Sequence, residues 1–256
     1  MTVFLQELRR RNPLLYWFGW LNLTGFLICI FLIFFDKHEI LGINRWIKPS
    51  KFFLSVGIMV WSMGWIMYYL RARKTTIICS VIILLTMLVE NALITWQAYQ
   101  GQPSHFNIST TQNALIFSVM GAMIITFSVV VAYITFLFFR VKSIRTTQSY
   151  CWGMRMGLLL FLFFSLEGGL MIQLMKHTVG GADGSAGLPY LNWSTKYGDL
   201  RIVHFMGMHA LQFLPLAGYF LFKTRKQVLL FSLTYFLATI ALLVLALLGM
   251  PIIPIK

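Results

Sequence analysis

Acidic residues are what this chain has least of. Asp and Glu together number seven, against 21 Lys and Arg, and all charged residues make up 11% of the 256 positions. Soluble domains carry about a quarter charged residues, so a soluble fold is excluded. Hydrophobic residues make up 59% and the mean hydropathy is +0.77, the balance of a polytopic membrane protein. Cysteine is scarce too. Cys29 falls inside a long apolar stretch, Cys79 and Cys151 fall near expected helix ends, and no CxxC or CxxCH occurs. A disulfide framework and covalent haem attachment are thereby excluded. The alternation of barrel strands is absent, so backbone groups inside the bilayer must be satisfied within helices. No repeat or low-complexity run is visible, no soluble domain is seen at either end, and the simplest organisation is one transmembrane domain over residues 1–256.

What is present is apolar length. About twenty apolar residues span a bilayer as a helix, and seven stretches qualify: 15–35, 52–70, 76–99, 114–139, 151–174, 201–222 and 228–249. The expected fold is therefore all-α, with seven transmembrane helices. The first stretch is too long for a signal-peptide core and no small-residue cleavage site follows it, so it reads as a retained helix. Basic residues orient the bundle. Arg9, Arg10 and Arg11 precede helix 1; Arg71, Arg73 and Lys74 join helices 2 and 3; Arg140, Lys142 and Arg145 join helices 4 and 5; Lys223, Arg225 and Lys226 join helices 6 and 7. By the positive-inside rule the N-terminus is cytoplasmic and the C-terminus, Pro251 to Lys256, is extracytoplasmic, as in a bacterial inner membrane. The net charge of +14 thus reports topology. A nucleic-acid partner is excluded, because the charge sits in short turns rather than on one soluble face.

In this orientation all five histidines, His38, His105, His177, His204 and His209, fall on the extracytoplasmic side. Ionisable groups within spans are costly and mark function or interior pairing. Glu90 lies about 14 Å below the outer end of its helix, Glu167 about 10 Å, His209 about 12 Å and His204 about 5 Å, at 1.5 Å per residue. On helix 6, Arg201, His204, His209 and Gln212 share an arc of about 140°, and on helix 3 Thr86, Glu90 and Gln97 share about 40°. On helix 5, Met171 and Met175 continue a stripe from Glu167 at four-residue spacing. His105 and His177 stand in loops above. The expectation is a polar ladder running from the outer surface to mid-membrane.

Two chemistries suit such a ladder. His105, His177, His204 and His209 are candidate ligands for zinc, iron or copper, with Glu90, Glu167 and His209 as candidate catalytic groups. The pair His204 and His209 has four intervening residues and is less suited to one metal than an i, i+4 pair. Alternatively, a histidine of helix 6 with His105 or His177 would hold haem b, walled by Phe106, Trp96, Phe205 and Trp193, in a protein exchanging electrons with quinone. The outer cations Arg45, Lys48 and Lys51, with Arg201, are candidates to neutralise a buried glutamate or clamp an anionic group; snorkelling at the interface is the plainer reading of the lysines. The outer segment 175–200 carries five glycines and reads as a folded lid. Asp199 is expected to cap helix 6, and Asp183 has no evident structural duty. The leading functional expectation is a metal-dependent membrane enzyme, oxidoreductase or hydrolase, acting on a lipid-soluble substrate. A haem and quinone redox protein and a proton-coupled transporter or channel are the alternatives.

Three stretches carry a resemblance: Ser104-His105-Phe106-Asn107 with Ser109-Thr110; His177-Thr178-Val179-Gly180; and Gly198-Asp199-Leu200-Arg201 running through His204, His209, Gln212 and Pro215. They resemble a bacterial family of seven-helix membrane proteins. The resemblance implies that fold over most of the chain and brings no activity with it. In layout alone the chain is also similar to the seven-helix zinc hydrolases of the ceramidase and adiponectin-receptor group. Their helix histidine pair has three intervening residues, on the last helix.

Overall fold

A computed structural model describes residues 2–141, 144–184 and 187–254. Lys142 and Lys256, given expected sides above, and Ser185 and Ala186 of the segment 175–200 lie outside them. Nearly everything described is helix: α1 (Thr2–Arg11), α2 (Pro13–Phe35), α3 (Ile47–Met67, with a 3₁₀ turn Tyr68–Leu70), α4 (Arg73–Tyr99), α5 (Thr111–Arg140), α6 (Gln148–Ser165), α7 (Glu167–Leu174), α8 (Leu200–Phe220) and α9 (Arg225–Leu247). Two short antiparallel hairpins interrupt them. One pairs β1 (Glu39–Ile40) with β2 (Ile43–Asn44), the other β3 (Thr178–Val179) with β4 (Gly198–Asp199). The first turns through Leu41 and Gly42, both at positive φ of 51° and 73°, the backbone a two-residue hairpin needs.

Among the described residues, six helices are long and apolar enough to cross a membrane: α2, α3 with its 3₁₀ turn, α4, α5, the run from α6 through α7, and α9. The expected span 201–222 is a helix, α8, but it is not among the six. Its Arg201, His204, His209 and Gln212 dilute the apolar character that the others have. Two boundaries move with consequence. α3 begins at Ile47 rather than 52, so Lys48 and Lys51 stand in its first turn instead of in a loop. Pro49 is tolerated there because first-turn N–H groups have no partner within the helix. The expected helix 151–174 breaks at Leu166, where Leu166 N–H donates to the Phe163 carbonyl and Gly169 N–H to the Leu166 carbonyl. Glu167 therefore opens a new short helix, where a carboxylate is favoured by the helix dipole. Met175 sits at φ 51° beyond the end of α7, off the stripe expected from Glu167.

The chain divides into two compact units, Met1–Leu137 and Phe138–Lys256. In the first, α2 and α3 pack antiparallel through glycine. A Cβ at Gly19 would stand 1.8 Å from Trp61 Nε1 and one at Gly25 would stand 2.7 Å from Phe53, while Gly64 faces Asn12 and Leu15. Buried amides join α2 to α4. Asn12 donates to Ser80 Oγ at 2.7 Å, and Asn91 donates to Asn22 Oδ1 at 2.7 Å. The two bonds lie about 15 Å apart along parallel helices at 1.5 Å rise per residue. α1, unanticipated from sequence, folds back on this unit. Glu7 accepts from Arg10 and Arg11, which holds its carboxyl down at about 2. The Arg11 guanidinium lies 3.8 Å from the Trp65 ring centroid.

In the second unit α6 and α8 meet backbone to backbone. A Cβ at Gly153 would stand 2.5 Å from the Leu214 carbonyl, one at Gly157 would stand 2.9 Å from the Ala210 carbonyl and one at Gly218 would stand 2.6 Å from the Ser149 carbonyl. Small residues at close crossings let dispersion replace the hydrophobic drive that lipid cannot supply. Arg155 of α6 donates to the carbonyls of Phe138 and Val141, answering the loose C-terminal end of α5. Gly153→Ala is expected to destabilise the folded protein by about 1–3 kcal/mol, the usual cost of overpacking. Gly121→Ala, where nothing lies within 4 Å of the added Cβ, is expected to change stability little. Thermal unfolding of the two variants in detergent checks the contrast.

Candidate functional site

The ionisable groups expected within spans are divided between the two units. In the first unit Glu90 is 1% exposed, and neither of its carboxyl oxygens has a hydrogen-bond partner among the described residues. Its helical neighbour Asn91 is tied to Asn22. Lys48 of α3 belongs to the same unit. Lys48 Nζ in turn lies 3.2 Å from His105 Nδ1, and Ser104 Oγ lies 3.1 Å from the same nitrogen. An ammonium has only protons to give, so Nδ1 is the acceptor and the ring proton sits on Nε2. The His105 ring is held among Phe52, Phe106 and Phe117, at centroid distances of 5.7, 6.1 and 6.3 Å. Asn107 fixes the loop that carries it, accepting from Ser109 N–H and Oγ and donating to the Pro103 carbonyl. Lys51 is half-buried one turn along from Lys48.

In the second unit Glu167 and His204 meet. His204 Nδ1 lies 3.1 Å from Glu167 Oε2, with the glutamate side chain 4% exposed and the histidine 36%. The carboxylate fixes the tautomer, with the proton on Nδ1 and the lone pair on Nε2. Glu167 Oε1 has no partner among the described residues. Gly168 lies beside the imidazole, where an added Cβ would stand in ordinary contact, 3.8 Å from His204 Cε1. His209 joins neither group. Its Nδ1 pairs with Gln212 Oε1 at 3.2 Å, and Phe205 lies against its ring at a centroid distance of 4.2 Å. Phe205, expected as a haem-pocket wall, thus covers His209, and Trp193 packs on Phe205 at 5.4 Å.

The lid is built by two carboxylates. Asp183 was without evident duty in the sequence. In the fold it accepts from the His177 and Thr178 N–H groups and pairs with His177 Nδ1 at 2.7 Å, so it organises the turn. Burial opposes its ionisation, but the hydrogen bonds and charge of His177 and the Thr178 N–H outweigh that and hold it well below the usual carboxylate range. Asp199 caps α8 as expected, accepting from Arg201 N–H at 3.0 Å. It also accepts from Ser194 N–H and binds the Arg201 guanidinium at 2.6 Å. Arg201, a candidate anion clamp, is therefore occupied in tying the loop to the helix, and its guanidinium also reaches the Asn192 carbonyl. Arg45 is likewise occupied, by Asp36 and the Tyr99 carbonyl.

Of the expected ladder, the structure joins Lys48 with His105 and Glu167 with His204, and it pairs His177 with Asp183 instead of with another histidine. Among the described residues, no three His, Cys, Asp or Glu side chains gather into a group that could hold a metal ion. Sequence reasoning missed Asp36, which accepts from His38, Arg45 and Trp46 Nε1, and the interhelical amides. Lone asparagines within apolar runs were the available signal for the amides. Comparison with family models, curated proteins and solved structures finds no match to this chain.

Asp183 gives a pH prediction. Its folded-state carboxyl is depressed, so its contribution to stability is present above the unfolded value near 4 and is lost as pH falls from there. Thermal unfolding is expected to separate the parent protein from Asp183→Asn most clearly near pH 6, with the difference closing below about pH 4.

Proposed function

We propose that this protein is a membrane enzyme that uses Glu167 and His204 as an acid–base pair on a lipid-soluble substrate. The observation that carries the reading is the 3.1 Å contact between His204 Nδ1 and a buried glutamate oxygen. It orients the imidazole and leaves Nε2 to take or give a proton, the arrangement a general base requires. Glu167 would stabilise the imidazolium that forms, as the orienting carboxylate of a catalytic dyad does. The histidine is part-exposed on a helix whose neighbouring Phe205 and Phe213 side chains are exposed, which favours a substrate arriving from the bilayer over one arriving from water. A histidine held on a carboxylate is also how metal ligands are oriented, but zinc, iron or copper needs further ligands converging on it. The acid–base reading asks only for the pair that is formed. His209, shielded by Phe205, shapes the approach to that pair.

The same reading takes α8 as a seventh span despite its polar stripe. That places the N-terminus in the cytoplasm, the C-terminal segment outside, and the Glu167–His204 pair in the outer half of a bacterial inner membrane. Lys196 and Lys223 flank α8 and are both exposed. Cysteines placed there singly are expected to label from opposite sides of intact cells and inverted vesicles; labelling from one side removes the seventh span. The catalytic reading is tested by mass spectrometry of lipids from membranes carrying the parent protein, His204→Ala or Glu167→Gln. At least one lipid-soluble species is expected to change severalfold, in the same direction in both variants. Identical profiles from folded variants overturn it.

A further inference from the structure

We infer that the last turn of α1 and the first turn of α4 form a headgroup site for an anionic phospholipid, gripping its phosphate with arginine and lysine. Six cations stand at this end of the first unit, Arg9, Arg10, Arg11, Arg71, Arg73 and Lys74, against the single carboxylate of Glu7. The fold brings the two stretches together. Arg10 Nη2 donates to Tyr68 Oη at 3.1 Å, and the 3₁₀ turn that carries Tyr68 ends at Arg71. Asn12, which follows Arg11, donates to Ser80 Oγ at 2.7 Å, and Ser80 lies about 10 Å along α4 from Arg73 at 1.5 Å per residue. Glu7 is committed to Arg10 and Arg11. Arg9, Arg71, Arg73 and Lys74 are exposed, and their side chains make no hydrogen bond or ion pair among the described residues.

Helix electrostatics does not account for the cations of α4, because Arg73 and Lys74 open a helix whose N-terminal dipole disfavours positive charge. On α1 aromatic rings hold the arginines in place. The Arg11 guanidinium lies 3.8 Å from the Trp65 centroid and 4.6 Å from that of Tyr68, Arg10 lies 5.2 Å from Tyr68, and Arg9 lies 5.6 Å from Trp17. A guanidinium already held over a ring loses less freedom on binding than a loose one. Arg10 spends Nε and Nη2 on Glu7 and Tyr68, which leaves the two N–H groups of Nη1 for a phosphate oxygen. The level of the site selects a lipid over a soluble anion. α2 begins at Pro13, α3 ends at Met67 and α4 begins at Arg73, so the cations stand where three spans begin or end, at the height of the headgroups. Trp17 and Tyr68 are exposed there, and so are Val3 and Phe4 in the first turn of α1. These supply the apolar contact that an interfacial helix makes with acyl chains, which a soluble anion does not use. The site shares no residue with the Glu167–His204 pair.

The experiment is thermal unfolding of the full chain in detergent with phosphatidylglycerol or phosphatidylcholine added, with native mass spectrometry counting the lipid retained. Phosphatidylglycerol is expected to raise the unfolding midpoint by several degrees more than phosphatidylcholine, and high salt to remove the preference. The triple variant Arg9→Gln, Arg73→Gln, Lys74→Gln is expected to unfold like the parent without lipid and to show no preference between the two. Removing the same charge elsewhere, with Arg145→Gln, Lys223→Gln and Lys226→Gln, all at exposed positions, is expected to keep the preference in full. Equal effects of the two lipids on the parent overturn the proposal. So does an equal loss of preference in both triple variants, which would mean that net charge alone attracts the lipid. Inorganic phosphate is expected to have no effect, and stabilisation by it as large as that by phosphatidylglycerol overturns the assignment to a lipid. Arg9→Gln alone and Lys74→Gln alone are each expected to lower phosphatidylglycerol retention at least twofold, which decides the matter even where the triple variant does not fold; unchanged retention in both overturns it.

Discussion

Inside a bilayer a polar side chain has no water to fall back on, and each such group must be answered by another group of the chain. The first unit is arranged around that constraint. Asn12 with Ser80 and Asn22 with Asn91 fix two points along α2 and α4, about 15 Å apart by helical rise, and two fixed points set both register and rotation. The glycines of α2 and α3 serve the same end. A Cβ added at Gly57 would stand 3.4 Å from the Asn22 Cβ, and one at Gly64 would stand 3.3 Å from the Asn12 Cβ. The backbone comes close where the amides are, and lipid is kept away from them. Interhelical hydrogen bonds in membranes contribute only about 0.6 kcal/mol on average. Their larger effect is specificity, because any other register strands a buried amide.

In the second unit the constraint falls on the backbone. Gly153, Gly157 and Gly218 bring α6 and α8 to the separation at which carbonyl oxygens replace side chains as neighbours. α8 carries the polar stripe and is the helix least suited to face lipid, and this contact supports it. The lid completes its N-terminal end: Asp199, wholly buried, closes Ser194, Arg201 and the first turn of α8 into one hydrogen-bonded corner. His204 follows Leu200 by one turn, so the corner fixes the imidazole's height and the break at Leu166 brings Glu167 to meet it.

The spans were legible because hydropathy needs only composition, and the cap at Asp199 because it is a local rule. Groups that meet across sequence distance were not. Glu167 and His204 were visible as residue types, but 37 positions separate them and nothing local pairs them rather than Glu90 with His204. α1 reads as a charged tail until Glu7 joins Arg10 with Arg11 and the fold brings Trp65 and Tyr68 beneath the guanidinium groups. The break at Leu166 left a trace in Gly168-Gly169, but glycine pairs also serve close packing inside unbroken helices. The expected histidine ladder assumed that residues on one side of the membrane converge. The structure instead spends three of the five histidines on carboxylates, as His38–Asp36, His177–Asp183 and His204–Glu167.

The scarcity of acid makes each acidic residue informative. Glu7 is committed to Arg10 and Arg11, Asp36 to Arg45 and His38, Asp183 to His177, and Asp199 to Arg201; Glu39 is exposed in a hairpin. The four paired ones hold loops and helix ends, and all five lie outside the apolar interior. The remaining two lie inside it and are incompletely answered, Glu167 on one oxygen and Glu90 on both. Glutamine would fill the same volume at lower cost of burial than a charged glutamate. A carboxyl differs from an amide in being able to lose a proton. Glu167 has an imidazole on its answered oxygen and is suited to hold a charge while His204 exchanges a proton with a substrate. Glu90 has no donor among the described residues. The difference between the two glutamates is thus the hydrogen-bond partner that the break at Leu166 gives to Glu167 and that the unbroken α4 does not give to Glu90 among the described residues.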